Sequence, residues 1–123
     1  MAQGKILIVD DDARNIFALS AVLRAKGFVC LSAGDLSEAL RIMAKEEGIG
    51  IVLLDMMLPE VDGYDAVPKI KAMPAYPGIP VIAVTAQAMA GDRERCLRAG
   101  ADGYVSKPVD VDELLRLMNN FTT

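Results

Sequence analysis

The sequence predicts an α/β domain with a doubly wound parallel sheet and helices on both faces. Three observations carry that prediction. Short apolar runs rich in β-branched residues recur five times, each too short for a buried helix. A segment with helical spacing follows every run, which is the alternation of a parallel sheet with crossover helices. Glycine, proline and aspartate punctuate the joints. At 123 residues the chain is long enough for a real core and too short for two domains, so residues 1–123 are expected to form one unit.

The first strand is Lys5–Val9, followed directly by Asp10, Asp11 and Asp12. Ala13–Lys26 places Ile16, Phe17, Leu19, Ala21, Val22 and Leu23 at near-helical spacing, and Gly27 suits the left-handed position after a helix. Phe28–Leu31 reads as the second strand. Asp35-Leu-Ser-Glu38 resembles a capping box, opening a helix to about Glu47 with Ala39, Leu40 and Met43 inward. Ile51–Asp55 is the third strand, and Pro59 and Gly63 turn the chain into a loop.

A helix follows from about Tyr64 to Met73. Proline costs about 3 kcal/mol in a helix interior, so Pro68 predicts a late start near Asp65 or a kink. Pro74, Pro77 and Gly78 form a loop before the fourth strand, Pro80–Thr85. Ala88–Ala99 is helical up to Gly100. Gly103–Ser106 is the fifth strand, closed by Lys107-Pro108. Asp110–Phe121 is a last amphipathic helix carrying Val111, Leu114, Leu115, Leu117 and Met118. Right-handed crossovers leave few topologies, and the flavodoxin-like order 2-1-3-4-5 puts the first and third strands side by side at the switch point.

Composition excludes several function classes. Hydrophobic content of 53% and mean hydropathy of +0.31 argue against disorder. No apolar run approaches the roughly 20 residues that span a bilayer. Lys5 begins a strand pattern rather than a cationic leader, so a cytoplasmic chain is expected. Net charge of −4 disfavours nucleic-acid binding, which needs a basic footprint. Cys30 and Cys96 lack metal or CxxC spacing and read as buried or free thiols. The chain has no histidine, which removes phosphohistidine chemistry, imidazole bases and His-ligated metals from its own repertoire.

In this order every polar group at a strand's carboxyl end falls on one rim, where open α/β sheets bind ligands. Strand one supplies Asp10 and Asp11, strand three Asp55, strand four Thr85 and strand five Lys107. Taken singly, Asp12 reads as a helix N-cap, Thr85 as a strand residue and Lys107 as a solvated cation. Together, carboxylates this close repel one another and call for a cation. Hard oxygen donors favour Mg²⁺, with Mn²⁺ possible, over zinc. A lysine, a hydroxyl and a metal around one carboxylate are the parts that transfer a phosphoryl group onto it.

These motifs carry a resemblance. Ile-Leu-Ile-Val-Asp10-Asp11, Leu-Leu-Asp55-Met-Met-Leu-Pro59 with Asp62-Gly63, Val-Thr85-Ala86 and Gly-Tyr104-Val-Ser-Lys107-Pro108 resemble the receiver (CheY-like) domain of two-component response regulators over essentially the whole chain. The resemblance implies phosphorylation of Asp55 by a partner phosphohistidine, on a histidine kinase or histidine phosphotransfer protein. It implies Mg²⁺ held by Asp11, Asp55 and the Met57 backbone carbonyl, with Asp10 acting through a water. Lys107 would contact the phosphoryl group, before a cis bond to Pro108. Output would run through Thr85 and Tyr104 to the fourth helix, fifth strand and last helix, where a downstream protein binds. The plain alternative for Tyr104 is a half-buried aromatic with a wet hydroxyl.

Met57 and Gln87 sit two residues after Asp55 and Thr85, positions that flank the path of attacking water in that family. Neither can activate water, so a long-lived phosphorylated state is expected. Leu58 and Pro68 depart from the commoner family pattern without touching the chemistry.

Rival readings are weaker. A haloacid-dehalogenase-type phosphohydrolase needs a second acid two residues after its nucleophile, where Met57 stands. A flavodoxin-like electron carrier needs a hydroxyl- and glycine-rich phosphate loop and a stacking tryptophan, and a P-loop needs GxxxxGK. A receiver-like adaptor without phosphorylation would have no use for all five rim residues. On the receiver reading the chain is a switch rather than a turnover enzyme, either stand-alone or part of a larger protein such as a hybrid kinase.

Overall fold

The computed structural model describes residues 4–86 and 91–121. Among the described residues five strands, β1 (Lys5–Val9), β2 (Cys30–Ala33), β3 (Ile49–Asp55), β4 (Val81–Thr85) and β5 (Gly103–Ser106), alternate with five helices. These are α1 (Ala13–Ala25), α2 (Leu36–Lys45), α3 (Gly63–Lys71), α4 (Asp92–Arg98) and α5 (Val111–Asn119). All strand pairs are parallel, in the order β2-β1-β3-β4-β5. The predicted fold class and strand order are both observed.

Alternation along the strands divides the core into two layers. Leu7, Val9, Val52, Leu54, Val81 and Ala83 face Ala39 and Met43 of α2, Ala66, Val67 and Ile70 of α3, and Cys96 of α4. Ile6, Ile8, Ile51, Leu53, Ile82 and Val84 face Leu23 of α1 and Leu114 and Met118 of α5. The central strands are buried on both faces, which is why they read as unbroken apolar runs. Each fully buried Leu or Ile contributes about 1.5–3 kcal/mol relative to exposure.

Several boundaries differ from expectation, each for a local reason. β2 begins at Cys30 rather than Phe28. Gly27, at φ +96°, closes a Schellman turn in which the Phe28 N–H bonds the Leu23 carbonyl and the Gly27 N–H bonds Arg24. The cap thus takes up Phe28. β3 begins two residues before Ile51, with Gly50 against Gly4 so closely that a Cβ on Gly50 would lie 3.1 Å from the Gly4 Cα. The Pro80 carbonyl accepts from the Val52 N–H, but β4 itself starts at Val81.

α3 starts early, at Gly63, not near Asp65. The Asp62 carboxylate accepts from the Tyr64 N–H at 2.9 Å, and this cap starts the helix ahead of Pro68. Pro68 stays inside the helix on its exposed side, where water can serve the carbonyl that loses its partner. α1 ends at Ala25 and α2 at Lys45, each one or two residues short of expectation. α5 runs Val111–Asn119, with Asp110 as its cap rather than its first residue.

α4 begins at Asp92 because Gly91 takes a left-handed φ of +89°, which a continuous helix from Ala88 could not accommodate. Ala88–Ala90 lie outside the described residues. The inward face of α1 is narrower than its apolar content suggested. Ser20 and Leu23 are buried, whereas Phe17 is 77% exposed and Val22 38%; both lie off the Ile16–Leu23 stripe.

Candidate functional site

β1 and β3 are neighbours, and Val9 pairs with Leu54, so Asp10 and Asp55 leave the sheet at the same level. β4 places Val84 beside Asp55, and β5 places Ser106 beside Thr85. The chain therefore enters Lys107 at the same rim, with the Lys107 N–H bonded to the Thr85 carbonyl. Burial separates the members. Asp10, Asp55 and Thr85 are buried, Asp11 is exposed and Lys107 half-buried.

Carboxylate oxygens of Asp10, Asp11 and Asp55 all lie within 4.8 Å of one another. The Lys107 Nζ sits 3.2 Å from Asp10 Oδ2 and 3.3 Å from Asp55 Oδ2. Asp10 Oδ1 accepts from the Asp12 N–H at 2.8 Å, and Asp55 Oδ1 from the Met57 N–H at 2.9 Å. Asp12 turns away to cap α1, accepting from the Arg14 N–H at 2.9 Å. Burial pushes the Asp55 pKa above its ordinary value and the Asp10 charge adds to this, against the Met57 N–H and Lys107. Burial works against the charged form of Lys107, but Asp55 and Asp10 outweigh it and raise its pKa.

Three carboxylates around one lysine leave excess negative charge in a partly buried pocket. An all-oxygen donor set without imidazole or thiolate fits a hard divalent cation of the Mg²⁺ kind. The loop after β3 lies alongside. Met56 is tied to the Val84 carbonyl, and Met57 is 48% exposed. Gly63 closes that loop so tightly that a Cβ there would stand 2.6 Å from the Met56 Cα.

The structure thus brings together Asp10, Asp11, Asp55 and Lys107, with Thr85 on the adjacent strand end and Met57 on the neighbouring loop. Tyr104 is half-buried on β5, and the Lys107–Pro108 bond is cis. Gln87 lies outside the described residues. Sequence reading assigned Gly63 only a turn; its contact with Met56 was hidden because glycine records no side-chain chemistry. The support of Asp55 by the Met57 N–H was equally invisible, since any non-proline residue supplies that donor.

The sequence profile described as the response regulator receiver domain matches residues 6–119. The chain belongs to that receiver family. It is 34% identical to the polar-differentiation response regulator DivK of Brucella anthropi, covering 94% of each chain. It is 39% identical to the sensor histidine kinase RcsC of Salmonella typhi over 89% of its own length but only 11% of that kinase. Among solved structures, it resembles the receiver domain of the sensor histidine kinase PA1611 of Pseudomonas aeruginosa, which has a magnesium ion coordinated in its active-site cleft. Identity there is 36%, the TM-score 0.84 and coverage 98% of each chain. A response regulator from Chloroflexus aurantiacus superposes with a TM-score of 0.88 at 30% identity and 98% coverage of both. No helix among the described residues is long and apolar enough to cross a membrane.

Proposed function

We propose that this receiver is a phosphorylation switch in which Asp55 accepts a phosphoryl group from a partner's phosphohistidine. The observation that carries the reading is the placement of Asp55, buried beside Asp10 and Asp11 with the Lys107 ammonium 3.3 Å away. In the transfer, an Asp55 carboxylate oxygen bonds to phosphorus as the phosphorus–nitrogen bond breaks, and the departing imidazole keeps the electron pair. Lys107 neutralises charge on the phosphoryl oxygens, and the Met57 N–H keeps the second Asp55 oxygen oriented. Asp11, Asp55 and the Met57 carbonyl would hold Mg²⁺, or Mn²⁺ in its place, with Asp10 acting through a water. The cation supplies charge neutralisation at the transferring group.

Thr85 and Tyr104 then act as switch residues that alter the surface of α4, β5 and α5, where a downstream protein binds. Met57 and Gln87 leave attacking water without a base and so prolong the phosphorylated state. The natural donors are a histidine kinase or histidine phosphotransfer protein in the cytoplasm, with neither membrane nor nucleic acid as direct partner. Residues 1–123 act as one receiver unit. DivK-like and RcsC-like contexts, stand-alone or within a larger kinase, are both compatible with the similarities above.

The test is exposure to a small-molecule phosphodonor with Mg²⁺, followed by intact-mass measurement. Phosphoryl addition is expected in the parent, and neither in Asp55→Asn nor after chelation of the metal. Uptake by Asp55→Asn equal to the parent's would overturn the proposal.

A further inference from the structure

One face of α4 is held by tyrosines from two other elements. Asp92, Arg95 and Cys96 stand at i, i+3 and i+4, so a single turn presents them together. The Arg95 guanidinium lies 4.2 Å from the centroid of the Tyr64 ring, within cation–π range. The Tyr64 ring also packs against the core cluster that contains Cys96, and burial is the main cause of the raised pKa of both groups. Cys96 is 1% exposed, in the core it shares with Val67, Ala83 and Ala101. Tyr104 of β5 packs against that same cluster; burial raises its pKa and the nearby Asp92 charge adds to this.

Tyr64 also adjoins the phosphoacceptor loop. It follows Gly63, which is seated on the Met56 backbone with no room for a Cβ. Met56 precedes Met57, whose N–H bonds Asp55. A short physical path therefore runs from the Asp55 carboxylate through the β3–α3 loop to Tyr64, and from Tyr64 to Arg95 of α4.

We propose that Tyr64 is a coupling residue: with Arg95 over its ring and its flank against the core that holds Cys96, it ties α4 to the loop that follows the phosphoacceptor strand. This makes a second route from Asp55 to α4, beside the one through Thr85 and Tyr104. The two routes converge on α4, so it responds to the site as one element rather than fraying independently. The direction of signalling rests on the receiver reading above; the tie itself does not.

Amide hydrogen exchange of the whole chain tests it, comparing the parent with Tyr64→Phe, Arg95→Gln and Tyr64→Leu. Phe keeps the ring that Arg95 lies over, Gln keeps length and drops the cation, and Leu removes the ring while retaining apolar bulk. Exchange at the α4 amides is expected to stay near the parent's in Tyr64→Phe and to rise severalfold in Arg95→Gln and Tyr64→Leu, with α5 amides unchanged. Phosphorylation should alter α4 exchange in the parent and do so less in Tyr64→Leu.

Parent-like α4 exchange in Tyr64→Leu, or equal acceleration in α4 and α5, would overturn the tie, the second outcome marking a merely structural residue. An unchanged response to phosphorylation in Tyr64→Leu would overturn the coupling while leaving Asp55 as phosphoacceptor. Failure of the parent to take up phosphate would instead sink the switch reading, and the tie is then decided by exchange in the unphosphorylated proteins.

Discussion

Replacing Asp11 by asparagine should stabilise the chain in the absence of divalent metal and weaken its response to Mg²⁺. Asp11 is exposed, yet its carboxylate lies within 4.8 Å of those of Asp10 and Asp55. Two unit charges at that separation repel by about 0.9 kcal/mol in bulk water and about 3.5 kcal/mol at an effective dielectric of about 20. Exposure puts Asp11 near the watery limit. Two such repulsions, partly offset by Lys107, then come to about 1 kcal/mol. In a domain of this size that is a rise in Tm of about 3–5 °C.

Bound metal works against that difference. A cation at about ten times its dissociation constant adds about 1.4 kcal/mol to any form that binds it, and on the proposed reading Asp11→Asn would forfeit one of its ligands. Thermal unfolding of both proteins with chelator and with Mg²⁺ gives the four values needed. Asp11→Asn should melt above the parent in chelator and gain less from Mg²⁺. A variant less stable than the parent in chelator, or an equal Mg²⁺ gain in both, would refute the shared-charge argument.

Gly63→Ala must displace Met56, because its Cβ would meet the Met56 Cα at 2.6 Å and carbonyl oxygen at 2.8 Å. Such overpacking costs about 1–3 kcal/mol, so the urea midpoint should fall and phosphorylation by a small-molecule donor should slow together. Met57→Asn places beside Asp55 an amide that can orient a water by hydrogen bonds and should shorten the phosphorylated half-life severalfold; an unchanged dephosphorylation rate would contradict the role proposed for Met57. Tyr76→Phe removes a hydroxyl that donates to the Glu46 carbonyl and accepts from the Ile49 N–H at 3.2 Å. About 1–2 kcal/mol of stability should be lost in denaturant titration, with phosphorylation rate unchanged because these contacts lie at the far end of β3.

Legibility followed the physics of each element. Strands β1, β3 and β4 stood out because both faces are buried and nothing polar interrupts them. β2 was displaced by two residues because a Schellman turn, not apolarity, decides where it begins. The α1 stripe was overcounted: Phe17 and Val22 are apolar but lie off the face that Leu23 buries. Pro68 suggested a delayed helix, whereas the Asp62 cap and the exposed placement of the proline allow an early start. At the rim, residue types at strand ends were enough to name Asp10, Asp11, Asp55, Thr85 and Lys107.

The amino-acid sequence by itself determined the alternation of strands and helices, the strand order that follows from right-handed crossovers, and the absence of any histidine. Each is a matter of periodicity, chirality or composition, which local order along the chain expresses. Only the tertiary structure decided how far apart the three carboxylates stand, which oxygens Lys107 meets, and that Arg95 of α4 lies over the Tyr64 ring. Those depend on backbone donors, glycine-mediated close approach and the pairing of residues tens of positions apart. None of these leaves a local signature, because they arise only when separate elements pack.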